Sequence, residues 1–389
     1  MDSIISASAV NLDFYNKIAL LQPFGSGNPE PKFMIENLQI VNIGHYVNRT
    51  GTLFLHSLLD NHPQILSIPG VINLDSILQN RIDNANQALV YFERENPKFF
   101  DTSSFIITDK NNSQLFCLGE NKTDKILTNK DLFKSSFLNF LKKNNNFSKK
   151  NIILGIYYAY SKAHKIKLDD KKILLLHPHE QDICIKFNKI FPLSKFLVPI
   201  RNPIKVYYSL IETRRAKCNI RRQNYFPRGS LVELINGLRN FRKNNFNMMV
   251  IRLEDLGNNT ERVVKKICNY ININFDTNLL HSTFGGFKYW GNTINLQRNI
   301  YEEKDYDSFS QANKTDLTIL RTLNKGIIEE FYKDEDIYTK KKCPLYKLFL
   351  PLQDELIYLK SFSFKYFFSY LKFFLYYLPK RLFLIFKLK

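Results

Sequence analysis

Leu38-Gln39-Ile40-Val41-Asn42-Ile43-Gly44 is a short apolar run rich in β-branched residues. Asn48-Arg49-Thr50-Gly51-Thr52 follows, and Leu53–Leu59 then repeats apolar residues at helical spacing. The order is strand, turn, helix. A glycine in such a turn lets backbone N–H groups close on an anion, and the helix N-terminus adds the positive end of its dipole. Arg49 contributes a fixed charge, and Thr50 and Thr52 contribute hydroxyl donors. The segment predicts a phosphate or sulfate cradle. It is equally readable as a helix start capped by Thr50 or Thr52. No Lys follows Gly51, so the phosphate-bridging group of a nucleotide-hydrolysing loop is missing.

Three more strands are predicted around this one: Lys172–His177 (KILLLH), Lys195–Ile200 (KFLVPI) and Asn247–Leu253 (NMMVIRL). Helical patterns separate them at Ile152–Ile166, at Val206–Ala216 behind a first-turn Pro203, and at Glu261–Ile271. Strands alternating with helices predict an α/β fold with a mostly parallel central sheet flanked by helices. Residues 1–37 read as an N-terminal extension and 38–342 as the main domain. Within it, residues 80–150 carry runs of Asn and Lys and read as a polar surface insertion, partly helical. From Cys343 the composition turns to Phe, Tyr, Leu and Lys, so 343–389 reads as a separate, helical, amphipathic tail.

Lys and Arg outnumber Asp and Glu by 56 to 36, a formal charge of +20, which favours anionic partners. An Asn-, Ile- and Lys-rich composition also follows from AT-rich coding sequence, so charge alone does not choose the partner. The five cysteines form no CxxC pair and have no His at metal-ligand spacing, which predicts reduced thiols and no metal centre. Met1–Gln22 lacks a basic region ahead of an apolar core, and no run of about 18 apolar residues occurs. The expected location is cytoplasmic, with the basic, aromatic tail touching the inner face of an anionic membrane.

The segment Arg49-Thr50-Gly51-Thr52-Leu53-Phe54-Leu55-His56-Ser57-Leu58-Leu59-Asp60-Asn61-His62-Pro63 resembles the sulfotransferases that use 3′-phosphoadenosine-5′-phosphosulfate (PAPS). In that family the phosphosulfate loop reads Arg-Ser-Gly-Thr-Thr and the next helix ends in Leu-Leu-Asp-x-His-Pro. Thr50 stands for the Ser and keeps its hydroxyl. Leu53 stands for the second Thr and loses one. Arg201-Asn202-Pro203 with Ser209 resembles the family's 3′-phosphate motif, in which an Arg ends a strand and a Ser follows two helical turns later. Leu253-Glu254-Asp255-Leu256 resembles the turn after a late strand. Thr283-Phe284-Gly285-Gly286 with Trp290-Gly291-Asn292 resembles the loop that closes over the nucleotide, and Arg298 would add a last 3′-phosphate contact. The resemblance runs from about Leu38 to Asn299. It implies a P-loop-type fold, PAPS as co-substrate without a metal, and Arg49, Thr50, Gly51, Thr52, Arg201, Ser209 and Arg298 as donor-binding residues.

Sulfuryl transfer to a hydroxyl needs a base for the acceptor proton and cationic donors for the leaving phosphate. Arg49 suits the second role. The family often places a catalytic Glu shortly after the His-Pro, but this chain has no acid there before Asp75. His177-Pro178-His179-Glu180, at the end of a predicted strand, offers His179 or His177 as base or sulfate contact. His56 and His62 read as structural. The expected activity is O-sulfation of a glycan or lipid-linked glycan, with N-sulfation of an amino sugar as the variant within the class. A nucleotide-dependent kinase and a non-catalytic anion- or glycan-binding protein on the same fold are the rivals. Nucleic acid is not an expected partner.

Overall fold

In the computed structural model, residues 3–5, 12–25, 28, 33–35, 38–44, 49–102, 118–144, 146–178, 181–211, 245–290, 313–334, 344–360, 364, 368, 371, 373–379 and 382–383 are described. Near the N-terminus two short strands, β1 (Ser3–Ile5) and β2 (Phe33–Ile35), pair in parallel, with helix α1 (Leu12–Ala19) between them in sequence.

The central sheet has five parallel strands, β3 (Gln39–Ile43), β4 (Ile65–Ser67), β5 (Ile173–Leu176), β6 (Lys195–Ile200) and β7 (Asn247–Arg252), in the order β4-β5-β3-β6-β7. Val41 and Ile43 join one apolar cluster with Leu175 and Leu197. Ile40 joins a second with Leu174 and Leu176, and Phe196, Val198 and Ile200 belong to a third. Side chains alternate between faces, so both faces are covered, as an all-parallel sheet requires. The chain runs from β3 out to β4, returns at β5, and then crosses β3 to reach β6. Connections therefore reverse direction beside β3, and ligands of open α/β sheets bind at the strands' carboxyl ends at such a point.

Helix α2 (Thr52–Leu59) links β3 to β4. Helices α3 (Asp75–Gln79), α4 (Ala85–Glu95), α5 (Lys130–Asn144) and α6 (Lys149–Ala163) lie between β4 and β5, and α7 (Gln181–Ile190) leads to β6. Helix α8 covers residues 203–211. After β7 come α9 (Leu253–Asn258) and α10 (Thr260–Ile271), whose Val263, Val264, Ile267, Cys268 and Ile271 form one buried stripe. A hairpin of β8 (Thr283–Phe284) and β9 (Phe287–Lys288) follows, then α11 (Lys314–Leu323), α12 (Lys325–Phe331) and α13 (Gln353–Lys360).

The four strands expected from sequence are present within a residue or two, but β4 was not foreseen. Its three residues are too few for a periodicity, and they are buried at the sheet's edge. The surface reading of 80–150 also fails in part. Ala88, Leu89 and Phe92 of α4 and Phe133, Phe137 and Leu141 of α5 are buried against α6. Their spacing of three and four residues places them on single helix faces beneath a polar exterior. Each buried Phe or Leu contributes about 1.5–3 kcal/mol.

The tail divides at about residue 360. Leu348, Leu352 and Tyr358 sit in the third cluster beside Ile319 and Leu320 or are fully buried nearby. The buried Asp316 carboxylate accepts the Gln353 N–H at the start of α13, at 3.1 and 3.2 Å. Beyond it, Phe364 and Phe368 are more than 80% exposed and Leu375 is 70% exposed. Among the described residues no helix is long and apolar enough to cross a membrane.

Candidate active site

The loop after β3 reverses the chain tightly. Arg49 and Gly51 both lie in the left-handed region, with φ of 73° and 83°. Gly51 is the N-cap of α2 and has no side chain of its own to cap it. The N-cap position expected for Thr50 or Thr52 is held by Gly51; Thr52 is the first helical residue and Thr50 is buried. A helix start presents N–H groups and the positive end of its dipole to an anion. Gly51 is required for space as well as for φ. A Cβ there would collide with Leu253 Cδ1, so the loop rests on the residue that follows β7.

Arg49 reaches across to α8, where its Nε donates to Ser209 Oγ at 3.1 Å. Residues 160 positions apart thus meet because β3 and β6 are neighbours. Arg201 directly follows β6, half-buried, and among the described residues its side chain makes no hydrogen bond or ion pair. The turn holding it is fixed from behind. Asn202 is buried, its backbone N–H donates to Glu254 Oε1 at 2.8 Å, and its side-chain oxygen accepts the N–H groups of Ile204 and Lys205. Tyr332 donates to the other Glu254 oxygen at 3.2 Å. Glu254 thus holds the Arg201 turn.

His177 follows β5 and is buried. Its Nδ1 lies 2.9 Å from Nδ1 of His56, and His56 Nε2 lies 2.7 Å from Ser67 Oγ at the end of β4. Burial pushes the His56 imidazole down to about 3, so it is neutral near pH 7. Asp60, one turn after His56 on α2, is pushed up to about 7 by burial. The Gly285 and Gly286 N–H groups, the Ser67 hydroxyl and the Lys171 charge oppose that rise. The β8–β9 hairpin closes the region through the Phe284 ring, edge-on to His56 at 5.1 Å, and through a Ser57–Ser282 hydroxyl pair.

His56, read as structural, is buried and joins His177 to Ser67. Ser67 and Asp60 went unremarked. The i, i+4 spacing of His56 and Asp60 was a usable signal, but nothing in the sequence tied either to Ser67 or His177. His62 matches its structural reading, holding the Asn274 carbonyl and the Gln64 N–H at 2.9 and 3.0 Å. His179 and Arg298 lie outside the described residues. A cavity of about 320 Å³ opens just past β4, its wall formed in part by Ile68, Pro69, Ile72, Phe99 and Tyr160, with Asp75 also on its lining. Ser67 pairs with Leu175, so Ile68 and Pro69 leave the sheet beside Leu176 and His177. Among the described residues no three His, Cys, Asp or Glu side chains gather as a metal site.

A family model described as the RecJ OB domain matches residues 1–66. Residues 39–66 nevertheless supply two parallel strands and the helix between them, which an antiparallel OB barrel does not contain. No curated protein matches the chain. Among solved structures it is similar to the sulfotransferase domain of the Synechococcus PCC 7002 olefin synthase, at 14% identity over 88% of this chain and 99% of that one, with a TM-score of 0.42. It is similar to the sulfotransferase domain from the curacin biosynthetic pathway at 16% identity, over 64% and 78% of the two chains, with a TM-score of 0.35. The sulfotransferase STF9 from Mycobacterium avium compares at 12% identity, over 62% and 66%, with a TM-score of 0.36. The sulfotransferase domain model itself matches residues 47–316, spanning the Arg49 loop, the Arg201 turn, His177 and the β8–β9 hairpin. That match covers well over half of the 389 residues, and the chain belongs to the sulfotransferase domain family.

Proposed function

We propose that the protein transfers a sulfuryl group from PAPS to an acceptor hydroxyl, releasing adenosine 3′,5′-bisphosphate. The observation that carries this reading is the Arg49–Ser209 hydrogen bond, which joins the loop suited to the phosphosulfate to the helix suited to the 3′-phosphate. The anion fit rests on the helix start at Gly51 and on Arg201, whose guanidinium has no partner among the described residues. Arg49, Thr50, Gly51 and Thr52 hold the phosphosulfate end. Arg201 and Ser209 hold the 3′-phosphate, with Arg298 as a further contact. PAPS supplies an activated sulfur whose bond to the 5′-phosphate oxygen breaks as the acceptor oxygen attacks. Arg49 neutralises the charge that builds on that phosphate. His177 takes the acceptor proton, with His179 as the alternative base.

The acceptor is a glycan or lipid-linked glycan, and the cavity just past β4 is its site. The apolar wall suits the face of a sugar ring or the first part of a lipid chain. Residues 361–389 hold the protein against an anionic membrane. They contain six basic residues and no acidic one, and their exposed Phe364, Phe368 and Leu375 offer apolar surface. The deciding assay measures adenosine 3′,5′-bisphosphate release with hydroxyl, amino-sugar and phosphoryl-transfer substrates. Release with hydroxyl acceptors supports the reading. Amino-sugar preference indicates N-sulfation, nucleotide-dependent phosphorylation indicates the kinase, and PAPS binding without turnover indicates the non-catalytic protein.

A further inference from the structure

Several polar residues line the cavity past β4, but most of their polar atoms are engaged within the protein. Asn96 Nδ2 donates to the carbonyls of Asn73 and Phe92 at 2.7 and 2.9 Å, and Asn96 Oδ1 accepts the Asn73 N–H at 2.8 Å. Thr102 Oγ1 accepts the Ile126 N–H at 2.8 Å, and Thr128 Oγ1 pairs with His164 Nε2 at 2.9 Å. Glu95 Oε1 accepts the Ser76 N–H at 2.8 Å and the Ser76 hydroxyl, and Glu95 Oε2 is covered by protein. What is left to meet a ligand is largely the aliphatic wall, with Ile68, Ile72, Leu74, Ile126 and Ile183, and the Phe99 ring. Asp75 and Lys98, both half-buried, bring the remaining charges to the lining.

One polar group differs. Tyr160 on α6 lines the cavity and is only 4% exposed, yet its hydroxyl is not covered by protein and makes no hydrogen bond among the described residues. Tyr157, three residues earlier on the same helix, shows the usual arrangement: its buried hydroxyl donates to the Leu175 carbonyl at 2.7 Å. The Tyr160 ring is held between His164 and Phe99, at centroid distances of 4.3 and 6.0 Å, so its hydroxyl has a fixed place. Burial raises its phenol above the usual range, so it keeps its proton and can donate. A ligand matched to this space has an apolar body and few polar atoms. A sugar ring would give up water from several hydroxyls and find few free partners, whereas every methylene that leaves water favours binding.

We propose that the cavity takes the aliphatic chain of a lipid acceptor, in preference to a sugar ring, and that the Tyr160 hydroxyl donates to the oxygen at the head of that chain. Tyr160 is then a specificity-determining residue, and the sugar of a lipid-linked glycan lies outside the cavity. The catalytic consequence depends on the cavity being the acceptor site of a sulfotransferase, but chain binding is measurable without any transfer.

The test is calorimetric titration of the full chain, without donor, using 1-octanol, octyl β-glucoside below its micelle concentration, and methyl β-glucoside. The two octyl compounds should bind and the methyl glycoside should not. Tyr160→Phe keeps the ring and removes a hydroxyl that has no partner among the described residues, so it should melt like wild type. It should bind 1-octanol roughly 2- to 12-fold more weakly, the ordinary worth of a neutral hydrogen bond. Ile72→Asp puts a charge in the wall and should abolish binding of both octyl compounds, with a cooperative thermal transition showing that the fold stands. Methyl β-glucoside binding as tightly as the octyl compounds, or no octyl binding to folded wild-type protein, overturns the proposal. Octyl binding that survives Ile72→Asp places the chain elsewhere and overturns it as well. Unchanged 1-octanol affinity in Tyr160→Phe overturns the part given to Tyr160. Octyl binding with the expected losses in the variants, but no sulfate transferred from PAPS, upholds the chain site and removes the transferase reading; transfer to sugars with no octyl binding does the reverse.

Discussion

Arg201→Ala separates donor recognition from folding with little ambiguity. The guanidinium directly follows β6, is half-buried, and has no hydrogen bond or ion pair among the described residues. Removing it breaks nothing inside the protein, so the stability change should stay within about 0.5 kcal/mol. The turn itself is held by Asn202 and Glu254 and should survive. A charge-assisted hydrogen bond to a phosphate is worth about 1.5–3 kcal/mol, so affinity for adenosine 3′,5′-bisphosphate should fall roughly 10- to 150-fold. Adenosine 5′-monophosphate lacks the 3′-phosphate and should bind wild type and variant alike. Calorimetric titration of both nucleotides into both proteins gives the four affinities of a cycle, and the whole loss should appear in one arm. Equal losses for the two nucleotides, or wild-type protein that does not distinguish them, would refute the assignment of Arg201 to the 3′-phosphate.

Gly51→Ala forces a Cβ into a residue at φ 83° and against Leu253. The backbone cost is about 1–2 kcal/mol, and the melting temperature and donor affinity should fall together. Asp60 has a folded pKa of about 7 against an ordinary value of 3.8. Its contribution to stability is therefore full below about pH 4 and is lost as pH rises through 7. Denaturant unfolding of Asp60→Asn should show a gain over wild type at pH 8 that shrinks at pH 5. Truncation after Lys360 removes Leu382 from its place against the third cluster, so the melting temperature should fall slightly, and flotation with anionic liposomes, which salt should also weaken in the full chain, should be abolished. Truncation after Pro344 removes the buried Leu352 and Tyr358 and should destabilise the fold by several kcal/mol in thermal unfolding.

The sheet was legible where strands are long enough to show a pattern and are bounded by charge or proline, as at Lys195–Ile200. It was illegible at Ile65–Ser67, where burial comes from an edge position in the finished sheet. The Arg49 loop and the Arg201 turn could be read because each lies in one continuous stretch at a strand's end. The His56–His177–Ser67 connection could not, since it joins three elements through the order β4-β5-β3, which local sequence does not encode. Polarity misled the reading of 80–150. Asn and Lys dominate the count, but Ala88 and Phe92 on α4, and Phe133 and Phe137 on α5, each sit one turn apart and face inward. The tail misled in the opposite sense, because a uniform aromatic composition conceals that Leu348, Leu352 and Leu382 pack on the core while Phe364, Phe368 and Leu375 are exposed.

The central claim is that Arg49 and its loop act on a phosphosulfate. Transfer of ³⁵S from labelled PAPS to a panel of hydroxyl acceptors, with wild type and a folded Arg49→Ala variant side by side, tests it most directly. Labelled product should form with at least one hydroxyl acceptor, with one adenosine 3′,5′-bisphosphate released per sulfate transferred. In the variant the rate should drop on the order of 10²–10³-fold, the usual loss when a donor to a developing charge is removed. Wild-type turnover in Arg49→Ala, or wild-type protein that binds PAPS and transfers no label to any acceptor, would contradict it.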